Sequence, residues 1–180
     1  MSRGSSELAL ATSAPFHLEA TVRVLQRRPT NPVDVWRDAC WERVFKTADG
    51  LVLSVVENRG SIDSPDLRFA IRAGSPSTAT LASLEQTLRQ MLNLDLDPAL
   101  LAAAAHRLPA LRATAAALRG MRPPRFVDLF EVFLNVVPFQ QLSIDAGAAI
   151  LGRLVERFGA ELAHGERVYR AFPSAAAIAG

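Results

Sequence analysis

The sequence of 180 residues predicts an α+β fold, a small antiparallel sheet followed by a second half that is all helix. Three observations predict it. Apolar and polar residues alternate in short runs before Gly74, the apolar period becomes helical at Ser77, and no alternation returns after Pro98. With 49% hydrophobic and 21% charged residues, the composition is that of a folded chain and excludes low-complexity disorder.

Residues 1–14 are mostly small and polar, lack a sustained period, and read as a flexible lead-in to a first domain over 15–97. Phe16, Leu18, Ala20 and Val22 alternate as in a half-buried strand, which Thr30-Asn31-Pro32 ends. A strand over 35–45, the turn Asp49-Gly50 and a strand over 51–56 form a hairpin, because Asp-Gly supplies the positive φ of a tight turn. Leu67, Phe69 and Ile71, opposed by Arg68 and Arg72, add a further strand. From Ser77 onward Leu81, Leu84, Leu88, Met91 and Leu92 share one helix face, the signature of core packing.

A second domain over 98–180 opens with Asp97 capping a helix that Pro98 begins. Short helices over 99–106 and 111–118 lead to a stiff connector over 120–125. A helix over 126–137 carries Leu129, Phe133, Val136 and Val137, and Pro138 is expected to break it. The next helix, over 144–158, carries Ile144, Ala148, Leu151, Val155 and Phe158. Ser143 is its expected N-cap, and Asp145 sits in the first turn, where the helix dipole favours an acid. The two helices flank an apex, Phe139-Gln140-Gln141-Leu142. A new helix starts near the last residues.

Twenty basic and 18 acidic residues give a net charge of +2, and Lys46 is the sole lysine. The arginine bias fits either codon usage or recognition of phosphates and flat groups. Between Asp97 and Asp128 the chain holds Arg107, Arg112, Arg119, Arg122 and Arg125 and no acid, which suits a solvated helix face or an electrostatic footprint for DNA. Cys40 is the only cysteine, so no intrachain disulfide forms and a reducing cytoplasm is the expected location. No stretch spans a membrane. His17, His106 and His164 stand apart, Asp128, Glu131, Glu156, Glu161 and Glu166 read as exposed helix acids, and no metal-ligand spacing, phosphate loop or nucleophile elbow appears.

The run Gly120-Met121-Arg122-Pro123, Phe130-Glu131, Phe139-Gln140-Gln141-Leu142-Ser143, Arg153-Leu154-Val155-Glu156-Arg157-Phe158-Gly159 and Ala171-Phe172-Pro173-Ser174 resembles the 3-methyladenine DNA glycosylase II branch of the helix-hairpin-helix DNA glycosylases. The first half is similar to that family's N-terminal α+β domain. The resemblance implies double-stranded DNA as partner, no metal or cofactor, and hydrolytic removal of an alkylated purine after base flipping. It implies that Gln141 fills the gap left in the base stack, with Gln140 beside it. The helix N-terminus at Ser143 and the basic run that holds Arg122 and Arg125 are the further expected DNA contacts. It places the family's hairpin and catalytic aspartate beyond Gly180, so the helical domain is expected to be incomplete, no catalytic residue is assigned, and these residues alone are expected not to release a base. A non-catalytic DNA-binding module or a protein-interaction module on the same scaffold is the alternative. Uncovered apolar surface on Leu129, Val136, Leu151 and Val155 is expected to favour self-association.

Overall fold

The computed structural model describes residues 7–180, apart from the side chains of Leu101, Ala105 and His106. The expected lead-in is shorter than its composition suggests. Residues 1–6 lie outside the described residues, and Leu8–Leu10 forms strand β1, pairing antiparallel with Leu67–Ala73 (β5). Leu8 and Leu10, two apart, both turn to the core, and Leu10 is buried.

The alternation at Phe16–Val22 does not make a strand. Leu18–Gln26 is helix α1, whose buried residues Leu18, Thr21, Val22 and Leu25 follow the i, i+3, i+4, i+7 spacing. His17 caps it, Nδ1 accepting from the Ala20 amide at 3.2 Å. The predicted strand over 35–45 is two strands, Val35–Arg37 (β2) and Cys40–Thr47 (β3), which face each other with Trp36 opposite Trp41. Asp38 and Ala39 turn the chain at φ of 50° and 60°. Both take the left-handed region of a two-residue hairpin turn without a glycine.

The expected hairpin forms with its turn one residue earlier, at Ala48 and Asp49, and Gly50 pairs with Thr47. Gly50, at φ 101°, begins Gly50–Asn58 (β4), and the sheet runs β1-β5-β4-β3-β2, antiparallel throughout. Helix α1 and helix α2, Thr78–Met91 capped by Ser77, cover one face around Phe16, Val22, Trp41, Val56, Phe69, Leu88 and Leu92.

Helix α3, Pro98–Arg107, has Asp97 Oδ1 accepting from the Ala99 amide, and α4, Arg112–Ala117, follows a short turn. Helix α5 is Leu129–Gln141, α6 is Ile144–Phe158, and α7, Ala175–Ala179, starts on Ser174. Pro138 does not break α5. It removes one N–H from the ladder while its fixed φ remains helical, so the helix runs on through Gln141 and the apex shrinks to Leu142 and Ser143.

The second half is also not all helix. Glu161–His164 (β6) and Arg167–Arg170 (β7) form a hairpin, with Glu161 paired to Arg170. Glu161 and Glu166 therefore belong to a strand and its turn rather than to a helix. The hairpin covers the second face of the sheet, where Tyr169 and Ala171 join Val44 and Leu53, and Ala171 forms a parallel bridge with Val44. The Tyr169 hydroxyl donates to Glu42 at 3.1 Å and accepts from Arg37 at 2.8 Å.

Candidate functional site

The end of α5 and the start of α6 carry the candidate site. Asp128 caps α5, accepting from the Glu131 amide at 2.8 Å, and its apolar stripe Leu129, Phe133, Val136 and Val137 is exposed, Leu129 at 85%. Leu151 is half-buried and Val155 fully buried, so the uncovered surface expected on α6 is not at those two residues. Gln140 lies three turns after Leu129, on that exposed stripe. Gln141 projects about 100° away, so the two glutamines cannot fill one gap together. Both are exposed.

Ser143 Oγ accepts from the Ala146 amide at 3.2 Å, capping α6 and leaving its own hydroxyl hydrogen free to donate. The first-turn amides beside it lack helical acceptors and carry the positive end of the helix dipole. Asp145, also in that turn, is ion-paired with Arg28 at 2.5 Å.

The apex is held from below by a ring and two consecutive arginines. A Cβ built on Gly147 would lie 2.8 Å from both Cδ1 and Cε1 of Phe139, so only glycine lets α6 approach that ring. The Arg27 guanidinium stacks on the same ring, 4.2 Å from its centroid. Arg27 donates to Asn135 Oδ1 at 3.0 Å and to the Asn135 carbonyl at 2.9 Å. Burial lowers its pKa relative to an ordinary arginine, and Asp34 opposes that shift. Arg27 has a φ of 55°, and the Arg28 amide donates back to the Gln26 carbonyl. This tight turn directs Arg27 to α5 and Arg28 to α6.

Beneath α5 lies a buried cluster that sequence reasoning missed. Arg43 donates to both oxygens of Asp34, at 2.9 and 3.1 Å, and to both oxygens of Glu131, at 2.8 and 2.7 Å. Trp41 Nε1 adds a bond to Asp34 at 3.1 Å. All three charged residues are buried, so Glu131 is not an exposed helix acid. Burial disfavours the charge on Arg43, yet Asp34 and Glu131 outweigh it and hold the group protonated. Two carboxylates share one guanidinium, and burial raises the Glu131 pKa despite Arg43. A small cavity of about 20 Å³ between this cluster, Arg27 and Phe139 has room for about one water.

The remaining predicted contacts fall differently. Arg122 is buried, donating to the carbonyls of Asn93, Leu94 and Ser13 and to Ser13 Oγ, and stacking on Phe16. With its N–H groups turned inward it locks the connector to the α+β body and is not placed for a phosphate. Arg125 is exposed, and its amide donates to the Met91 carbonyl at 2.8 Å. Arg119 pairs with Asp63, whereas Arg107, Arg112 and Arg125 make no ion pair among the described residues. No group of three or more His, Cys, Asp or Glu residues able to hold a metal occurs among the described residues, and no described helix is long and apolar enough to cross a membrane.

Comparison with known proteins supplies the family. The chain is 28% identical over 158 residues to the probable bifunctional transcriptional activator/DNA repair enzyme AlkA of Mycobacterium tuberculosis, a match that covers 88% of this chain and 31% of that protein. It thus spans about a third of the length of the curated relatives it matches. Among solved structures, 3-methyladenine DNA-glycosylase from Archaeoglobus fulgidus superposes with a TM-score of 0.74 at 20% identity, over 96% of this chain and 57% of that one. MBOgg1 in complex with a low-affinity DNA ligand superposes with a TM-score of 0.68 at 17% identity, over 99% and 55%. The fold is that of the N-terminal portion of these glycosylases. Residues 7–128, the sheet and the helices up to the cap of α5, match the family model described as the AlkA N-terminal domain, and the chain belongs to that family.

Proposed function

We propose that this chain is the N-terminal, DNA-engaging part of a base-excision-repair glycosylase that removes alkylated purines from duplex DNA. In this reading Gln141 enters the base stack and bonds the partner base with its amide, which offers both a donor and an acceptor. Gln140, on another face, contacts the strand beside it. The Ser143 hydroxyl, the first amides of α6 and the exposed Arg125 take phosphates. The observation that carries the reading is the presentation of Gln141, exposed at the last turn of a helix that Arg27 and the contact between Phe139 and Gly147 hold in place, while Arg28 holds the start of α6.

A second reading, DNA binding without chemistry by these 180 residues, rests on the acids at the starts of α5 and α6. Asp128 caps α5, Glu131 is buried on Arg43 and Asp145 is paired with Arg28. None of the three stands free to support a cation developing on a sugar.

Titration of the chain against a duplex with one abasic analogue, beside the intact duplex, tests both. The expected result is tighter binding to the abasic duplex, a negative slope of log K against log salt, and loss of the preference in Gln141→Ala. Equal affinity for both duplexes, unchanged by Gln141→Ala, rejects the wedge. Release of free base from methylated duplex by the purified chain rejects the non-catalytic reading.

A further inference from the structure

We propose that Arg27 is a positioning residue for the wedge, setting the direction in which the last turn of α5 presents Gln141. The inference rests on the function proposed above for Gln141. That last turn lacks a normal helix's support, because Pro138 gives no N–H to the carbonyl of Leu134. Arg27 supplies bonds from outside the helix. Its two terminal nitrogens hold the side chain and the carbonyl of Asn135, one turn before Phe139, and its flat face rests on the Phe139 ring. The same ring fills the space over Gly147, so the contact that orders the end of α5 also fixes its distance from α6. Arg27 sits at a φ of 55°, which an L residue adopts at a cost, and the turn that imposes it also sends Arg28 to Asp145 on α6.

Lysine keeps the charge but has neither the fork nor the flat face, so Arg27→Lys separates positioning from simple attraction to phosphate. Phe139→Leu removes the ring that Arg27 stacks on and serves as an independent second variant. Two measurements on the full chain decide the matter. In the first, without DNA, amide exchange over 139–142 is expected to quicken about tenfold in Arg27→Lys, the scale of one lost charged hydrogen bond, while exchange in α2 stays unchanged. In the second, the preference for the abasic duplex over the intact duplex is expected to fall about tenfold by the same reasoning. Affinity for the intact duplex and its salt slope should stay as they were, and Arg27→Lys combined with Gln141→Ala should be no worse than Gln141→Ala alone. Unchanged exchange in both variants overturns the proposal. So does an equal loss on both duplexes with a shallower salt slope, which would make Arg27 a phosphate contact, or full additivity with Gln141→Ala. A wild-type chain with no preference for the abasic duplex rejects the function of Gln141, and the exchange result then decides the role of Arg27 by itself.

Discussion

Arg43 and Glu131, 88 positions apart in sequence, meet through two hydrogen bonds of 2.8 and 2.7 Å with both side chains buried. Removing one partner of such a pair leaves a buried charge with less compensation, so Glu131→Ala should destabilise the fold by about 3–5 kcal/mol in chemical denaturation. The pH dependence follows from the raised Glu131 pKa. Between its unfolded value near 4.5 and its higher folded value the native state binds more protons, so this group's contribution to stability falls as pH rises through that window. Glu131→Gln should flatten that part of the profile. A wild-type curve that rises more steeply than the variant's over the same range would contradict it.

Gly147→Ala puts a methyl group against the Phe139 ring, on which the Arg27 guanidinium also stacks. Overpacking of this kind costs about 1–3 kcal/mol. The expected signature is a lower Tm together with a weaker preference for the abasic duplex. Gly152, inside the same helix and with nothing within 4 Å of an added Cβ, is the control: Gly152→Ala should leave the preference unchanged and should not lower Tm, since alanine favours the helix.

Asp145 places a carboxylate in the first turn of α6, beside the amides proposed to take a phosphate. Asp145→Asn removes that repulsion and frees Arg28. Duplex affinity should rise severalfold and the salt slope should steepen, since one more cation is available to the backbone. Unchanged affinity at low salt would argue that the phosphate lies elsewhere.

Burial and the neighbouring Glu57 and Glu42 carboxylates raise the Cys40 pKa, and Sγ sits 3.8 Å from Glu57 Oε2. The thiolate is the reactive form. Alkylation by iodoacetamide at pH 8 should therefore run slower than on a free cysteine, and Glu57→Gln should accelerate it.

Leu129 and Phe133, at 85% and 64% exposure, head an apolar stripe on the outer face of α5. Sedimentation should show the chain associating as concentration rises, and Leu129→Glu with Phe133→Ser should suppress this without lowering Tm.

The fold class, the Asp49-Gly50 hairpin, α2 and the Ser143 cap were legible because each has a local cause in periodicity, turn chemistry or capping. The misreadings share a different cause. Leu18 and Val22 satisfy a period of two as well as a helical one, so seven residues could not separate strand from helix at α1. Asp38 and Ala39 turn a hairpin without the glycine that advertises one, and the short strands β6 and β7, mixing polar with apolar residues, give too little pattern to read. Nothing local distinguishes Glu131 and Arg122, which became buried partners, from exposed charges, since their environment is set by residues far along the chain. Of the candidate site, Gln140, Gln141 and Ser143 were visible in sequence, while the support from Arg27, Phe139 and Gly147 emerges only in three dimensions.

The cluster beneath α5 and the hairpin that follows α6 converge on three consecutive residues of one strand. Arg43 holds α5 through Glu131, while Glu42 and Val44, pointing to the opposite face, hold the returning chain through Tyr169 and Ala171. The helix pair is therefore an excursion tethered at both ends to residues 42–44, like a clasp closed around a single bar. A force applied at the apex is shared between that strand and the end of α1, where Arg27 grips α5 and Arg28 grips α6.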